Sequence, residues 1–385
     1  PRSINNEATK PDHKSAEYTE TVARCTGNDR FDAHPQANDW YETIKLNYGI
    51  DYCDWGGRSN HFNPIPDTWH KMTDILLFWA AKGIDGFRCD MAEMVPHEFW
   101  KYATEKVKAQ YPHIVFIGEV YDPNQYRTYI AAGFDYLYDK VGMYDCLRDV
   151  MCEHRSANDI TRQWQATDDI GKHVLYFLEN HDEQRIASNF FCGNMQKGIP
   201  ALIVAALFQC NPIMIYAGQE FGEKGMDGEG FSGIDGRSTI FDYWSIDAIR
   251  KGFFERSKLS AEQVQLEKEY RKILTLCNSE KAISNGKTFD LMYANETNDA
   301  FDSNKQFAFL RSSNNTTLLI VANFSKTEAH IRVNIPAHAF DYMEIKEGKK
   351  DMVDLLSGNH QSVVLQKDSS IEIVVPALNG RVYKF

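Results

Sequence analysis

Residues 67–119 read DTWHKMTDILLFWAAKGIDGFRCDMAEMVPHEFWKYATEKVKAQYPHIVFIGE. From Asp67 to Lys82 the apolar residues Trp69, Met72, Ile75, Leu76 and Trp79 recur at i, i+3, i+4 spacing. That period predicts a helix with the Trp69–Trp79 stripe in the core. Gly83 ends it. Ile84 to Asp90 and His113 to Glu119 are short apolar runs, each predicted to be a strand. Between them His97 to Gln110, with Pro96 at its start, is predicted to be a second helix. Strands separated by helices are the pattern of parallel β/α units.

The alternation continues outward. Phe134 to Tyr138, Val174 to Glu179 and Pro212 to Ala217 are predicted strands; Gly198 to Phe208 and Ala261 to Cys277 are predicted helices. Five strands and five or six helices suit part of a barrel or a doubly wound sheet, and composition does not choose between them. After about Asn285 the texture becomes short β-rich runs: Gln306 to Arg311, Thr317 to Asn323, Ile331 to Ile335, Ser362 to Leu365 and Ile371 to Val375. Turn residues at close spacing between such runs predict a small antiparallel sandwich. Residues 1–65 are polar and rich in Asn, Asp, Gly and Pro, so they read as long loops. The expected domains are therefore 1–65, 66–284 and 285–385. Trp40, Tyr41, Tyr48, Tyr52 and Trp55 cluster in the first; they are either stacking platforms for flat ligands or a small core that pins the loop.

Composition narrows the function. The chain has 385 residues and a formal net charge of −12. That balance disfavours a nucleic acid, which needs clustered Lys and Arg, and an anionic membrane surface. No apolar run is long enough to cross a bilayer, and PRSINNEATKPDHKS lacks a signal-peptide layout. The 8 cysteines contain no C-x-x-C pair, so no structural zinc site is expected and the thiols are expected to be mostly reduced. Cys146 and Cys152 could be bridged, with helical core the preferred reading; Cys89 and Cys210 read as small packing residues. Gly228 to Gly233 fits G-x-G-x-x-G, but acids flank it and the preceding strand is distant, so it reads as a flexible loop. His97-Glu98 has no second His four residues on, which removes a zinc-protease helix.

Three acids remain. Asp90, Glu119 and Asp182 each lie at or just past the C-terminal end of a predicted strand, where β/α barrels and open α/β sheets carry their sites. Strand alternation puts Arg88 on the side of Asp90. A nearby guanidinium keeps a carboxylate ionised, which suits a nucleophile. Glu119 follows the apolar run IVFIG, where partial desolvation suits a proton donor. Two carboxylates with split roles on neighbouring strands are what retaining glycoside hydrolysis requires. Asp182 is, from the residues alone, only a third acid.

These segments carry a resemblance. GFRCDMAEMV, FIGEVYD and FLENHD resemble the second, third and fourth sequence regions of the α-amylase family of glycoside hydrolases (family 13) in order and spacing. PIMIYAGQEFGE is similar to that family's last barrel strand and loop, GRSTIFDYW to a segment beyond it, and ETIKLNYG to its domain B marker. The resemblance implies a (β/α)8-type TIM barrel, of which only strands 4–8 are in this chain, with a domain B loop remnant and a C-terminal antiparallel β-sandwich. It implies Asp90 as nucleophile and Glu119 as general acid/base. It also implies Asp182 as the residue that binds sugar hydroxyls, Arg88 as the residue that orients the nucleophile, and His181 as a sugar contact. The implied substrate is starch, maltodextrin or a related α-1,4-linked glucan, taken by a monomer. A glucanotransferase and a non-catalytic glucan-binding or relic protein are the alternatives.

One part of the family pattern is missing. The first region, D-x-x-x-x-N-H, and three β/α units before Asp67 are not in the chain. An eight-stranded barrel must close to satisfy its edges, so a chain lacking its front end is expected. The absent region supplies a sugar-binding His and an Asn that ligates calcium. Calcium is therefore the one metal left open, and no metal-binding residue is assigned. Localisation stays unassigned.

Overall fold

The computed structural model describes residue 39 and residues 45–51, 58–225, 234–240, 245–314 and 316–385. The chain divides into one unit of residues 1–119 with 128–135, and another of residues 120–127 with 136–385. Trp40, Tyr41, Tyr52, Trp55 and the Gly228–Gly233 motif lie outside the described residues.

In the first unit a short antiparallel pair, β1 (Ile50–Asp51) and β2 (Ser59–Asn60), precedes α1 (Asp67–Ala80). Pro66 starts this helix, and Gly83, at φ +82°, ends it in a backbone region that costs glycine nothing. Its buried residues are Trp69, Thr73 and Ala80. Trp69 packs among Phe62, Phe99 and Tyr102 and donates its indole N–H to Tyr48 O at 3.0 Å. The expected Trp69–Trp79 core stripe is thus half right. Ile75, Phe78 and Trp79 are 49%, 55% and 52% exposed. The apolar arc of α1 is wider than the contact made by its partners in this unit, and period alone does not say which edge of an arc is covered. Tyr48 meets Phe99 edge-on at 4.9 Å, so this member of the aromatic cluster is a packing residue.

β3 (Gly86–Cys89) and β4 (Val115–Gly118) run parallel in the register Gly86 to Val115 and Cys89 to Gly118, linked by α2 (His97–Gln110). Gly86 is required there: a Cβ would sit 2.4 Å from Val115 O. α3 (Tyr126–Ala131) leads back to Asp135, whose carboxylate accepts the Phe116 N–H at 2.7 Å and pairs with Lys108 at 2.8 Å.

In the second unit β5 (Tyr136–Tyr138), β6 (Val174–Phe177) and β7 (Ile213–Met214) pair in parallel. A π-turn at Lys140–Tyr144 opens α4 (Asp145–Met151), followed by α5 (Asp159–Ala166); α6 (Gly198–Leu207) lies between β6 and β7. Every residue of α6 is buried, as a helix apolar all round must be. Then come α7 (Asp247–Phe254), α8 (Ala261–Ser279) with a Ser260–Gln263 capping box, and α9 (Lys281–Ser284).

The C-terminal strands are all antiparallel. They are β8 (Lys287–Asp290), β9 (Gln306–Ser313) after α10 (Met292–Asn295), β10 (Thr316–Asn323) and β11 (Ala329–Ile335), then β12 (Gly348–Asp354) after α11 (Ala337–Met343), β13 (His360–Leu365), β14 (Ser369–Val375) and β15 (Asn379–Lys384). Six form one sheet in the order β13-β12-β15-β10-β9-β8, and β11 pairs with β14. β11 and β14 alternate buried and exposed residues, whereas β9 and β10 are buried along nearly their whole length. The buried Arg311 of β9 donates to the carbonyls of Leu207, Phe208, Ala282 and Ile283, at the C-terminal ends of α6 and α9. Helix C-termini carry partial negative charge and neutralise this cation in place of a carboxylate.

Cys146 is buried in α4 and unbridged, so the alternative of a link to Cys152 is not what the fold builds. Cys152, just past the helix, faces Cys192 instead, with Sγ atoms 3.8 Å apart.

Candidate active site

Asp90 is the first residue beyond β3 and Glu119 the first beyond β4. The parallel register sets Cys89 beside Gly118, so both strands end level. Backbone hydrogen bonds pin the two exits together: Glu119 N–H donates to Cys89 O at 3.0 Å, and Ala92 N–H to Glu119 O at 3.0 Å. Met91 adopts left-handed backbone at φ 46°. That turn delivers the Met91 N–H to Glu119 Oε2 at 2.8 Å.

Arg88 completes the arrangement. Its Nη1 pairs with Asp90 Oδ1, and its Nη2 lies 3.0 Å from Glu119 Oε1. The side chain of Glu119 is 3% exposed and that of Asp90 70%. Burial of Glu119 was expected; the guanidinium on it was not. Strand alternation places Arg88 beside Asp90 but is blind to the next strand, which supplies the second contact.

The second unit holds the other two sequence-predicted residues side by side. His181 Nε2 lies 3.2 Å from Asp182 Oδ2. The loop they occupy is built by neighbours that the sequence reading passed over. Asn180 Oδ1 accepts the N–H groups of Asp182 and Glu183, each at 2.9 Å, which fixes a tight turn. Glu183 accepts from Tyr144 Oη at 3.1 Å and from Arg148 Nη1 at 3.1 Å. Arg185, fully buried, donates to Glu179 Oε2 at 2.8 Å, to Ser238 Oγ at 2.7 Å and to Ala217 O at 3.0 Å, and lies over the Tyr216 ring. Burial pushes the Glu179 carboxyl upward, and Arg185 opposes the push. Nothing in the run ENHDEQR separates this network from a solvated turn, because the burial of Glu179 and Arg185 depends on Ala217 and Ser238, which are distant in sequence.

The structure thus brings Arg88, Asp90 and Glu119 together in one unit and His181 and Asp182 together in the other. Among the described residues no three His, Cys, Asp or Glu side chains form a group able to hold a metal ion. Among the same residues no helix is long and apolar enough to cross a membrane.

The sequence model of the α-amylase catalytic domain matches residues 65–330, and that of the α-amylase C-terminal all-beta domain matches residues 298–385. The chain belongs to the α-amylase family. This α-amylase-family chain is 23% identical over 329 residues to alpha-amylase 3 of Dictyoglomus thermophilum, covering 78% of itself and 62% of that protein. It is 32% identical over 92 residues to an alpha-1,4-glucan:maltose-1-phosphate maltosyltransferase of Cereibacter sphaeroides, covering 23% and 16%. A cyclomaltodextrinase of Geobacillus thermopakistaniensis is 23% identical over 300 residues, covering 76% and 44%. The chain therefore spans less than two thirds of each of these relatives. Among solved structures, an Anoxybacillus alpha-amylase superposes with a TM-score of 0.64 at 19% identity, covering 87% of this chain and 68% of that one. A maltogenic alpha-amylase of Thermotoga neapolitana gives 0.62 at 19% identity, covering 89% and 71%. The shared fold is a parallel half-barrel with an antiparallel β domain after it.

Proposed function

We propose that this amylase-like chain is a retaining glycoside hydrolase acting on α-1,4-glucosidic bonds of starch or maltodextrins. Asp90 attacks the anomeric carbon while Glu119 protonates the leaving oxygen. The covalent glycosyl-enzyme is then hydrolysed by a water that Glu119 deprotonates. Asp182 and His181 hold sugar hydroxyls. Arg88 orients the nucleophile.

The observation that carries this reading is the single guanidinium shared by Asp90 and Glu119. One such bridge places both carboxyl groups within reach of a single guanidinium, as a pair of acids flanking one glycosidic bond requires. The buried Glu119 and the open Asp90 also divide the two roles as the chemistry requires: a shielded proton donor and an accessible nucleophile.

The test is covalent trapping. A fluorinated maltosyl fluoride, which slows breakdown of the intermediate, should add one fluorinated maltosyl group to the peptide containing Asp90, with fluoride leaving. Labelling of another acid, or turnover that releases the inverted anomer, would refute the assignment. A glucanotransferase is separated by its products: at high maltodextrin concentration it lengthens oligosaccharides, whereas the hydrolase shortens them. A non-catalytic glucan-binding protein would take up no label and still bind the substrate.

A further inference from the structure

We propose that Cys152 and Cys192 are a reactive thiol pair that exchanges with small disulfides, closing a reversible protein disulfide next to the loop that carries His181 and Asp182. The two Sγ atoms are 3.8 Å apart although the residues are 40 positions apart in sequence. A disulfide has an S–S length of about 2.05 Å, so less than about 2 Å of closure is needed. Both thiols are half-buried, open enough for a small reagent to approach and enclosed enough for the pair to stay together.

The surroundings set an order of attack. Cys152 follows α4, and its Sγ lies within hydrogen-bond reach of the Cys192 thiol; His154, Lys197 and Arg148 add positive charge around it. The hydrogen bond with Cys192, then those charges, pull the Cys152 thiol down to about 6 against burial, while the hydrogen bond with Cys152, burial and the charge of Cys152 push Cys192 up. Cys152 is therefore the more acidic thiol of the pair and the one that attacks first. Burial pushes the other core thiols the opposite way, Cys89 to about 12 and Cys146 and Cys277 to about 11, which makes them internal controls.

The chemistry balances without a cofactor. The Cys152 thiolate attacks one sulfur of a low-molecular-weight disulfide, and the first small thiolate leaves with the electron pair of the broken bond. Cys192 loses its proton to solvent and attacks the Cys152 sulfur, expelling the second small thiolate. Two protein thiols are oxidised and one small disulfide is reduced to two thiols.

The pair is wired to the candidate site. Arg148, one turn before Cys152, donates to Glu183 and Gln184, the two residues after Asp182, and its guanidinium lies 4.8 Å over the Phe191 ring next to Cys192. Closing the disulfide ties both ends of that Arg148 clamp to one covalent link.

The experiment treats the full chain with glutathione disulfide, alkylates the remaining thiols and maps the peptides by mass spectrometry. The expected result is a 152–192 cross-linked peptide that forms before any other and disappears with dithiothreitol. Cys192→Ala should stop at a mixed disulfide on Cys152, and Cys152→Ala should leave Cys192 largely unmodified. A dominant cross-link between other cysteines, stable separate adducts on both residues of the wild type, or faster modification of Cys192 in Cys152→Ala would overturn the proposal. These readouts are masses, so they stand or fall independently of the glycosidase reading.

Discussion

The Met91 N–H donates to Glu119 Oε2 at 2.8 Å. The residue that follows one candidate catalytic acid thereby positions the other, across two adjacent parallel strands. The left-handed backbone of Met91 makes this possible, and Ala92 reinforces it by donating to the Glu119 carbonyl. Asp90 and Glu119 are thus a single constellation linked by one guanidinium and one turn.

Removing either acid should abolish turnover without unfolding the chain. Asp90→Ala and Glu119→Gln are each expected to lower kcat by roughly 10³-fold or more, with the circular dichroism spectrum unchanged. Glu119→Gln keeps an acceptor for the Met91 N–H, so its effect reports the lost proton rather than a lost contact. Activity within tenfold of wild type in either variant would contradict the assignment.

The turn at Met91 can be tested separately from the acids. Met91→Gly should cost little stability, since glycine adopts φ near +46° freely. Met91→Val should destabilise by about 1–2 kcal/mol, because a β-branched side chain resists left-handed backbone. Thermal melting of the two variants measures the difference, and equal melting points would show that the turn is not strained as described.

Arg185→Met should be among the most damaging single substitutions on the loop after β6. It leaves the buried Glu179 carboxylate without its cation and is expected to cost about 3–5 kcal/mol. Pairing it with Glu179→Gln should recover part of that loss, since no uncompensated charge then stays buried. Urea unfolding of the single and double variants checks this; equal losses would mean the ion pair is not the source.

Arg311→Lys tests the buried cation at the C-terminal ends of α6 and α9. An ammonium cannot reach four carbonyl groups at once, as the guanidinium fork does, and a loss of about 2–4 kcal/mol is expected. The urea midpoint should fall with the slope m unchanged.

Alkylation of Cys152 has a definite pH profile. Its rate should rise with pH through a midpoint of about 6 and level off above neutrality, since the thiolate is the nucleophile. In Cys192→Ala the midpoint should climb toward the ordinary thiol value of about 8.5, because the stabilising S–H donor is gone. A midpoint that does not move would assign the lowering to the neighbouring cations alone.

Much of the architecture was readable from residue order because it is encoded locally. The period of the apolar residues and the Pro66 and Gly83 punctuation located α1 to within two residues at its far end. α2 fell on His97–Gln110 as expected. The strands carrying Asp90 and Glu119 were found as apolar runs with an acid at the end. GKKDMVD and NGRVYK lack an apolar run, so their sequence does not predict β12 and β15, which become strands through their sheet neighbours. Side-chain partnerships were less legible. Arg88 beside Asp90 follows from alternation along one strand; Arg88 beside Glu119 needs the register of two.

Sequence order alone therefore established the parallel β/α units, the antiparallel tail and the strand-end positions of the three acids, all properties of hydrophobic period and chain punctuation within about ten residues. Folding chose the partners: Glu119 for Arg88, Cys192 rather than Cys146 for Cys152, helix ends for Arg311, and solvent rather than core for Trp79. Each of these depends on which distant segment arrives at a given face, and a one-dimensional pattern marks the face but not the arrival.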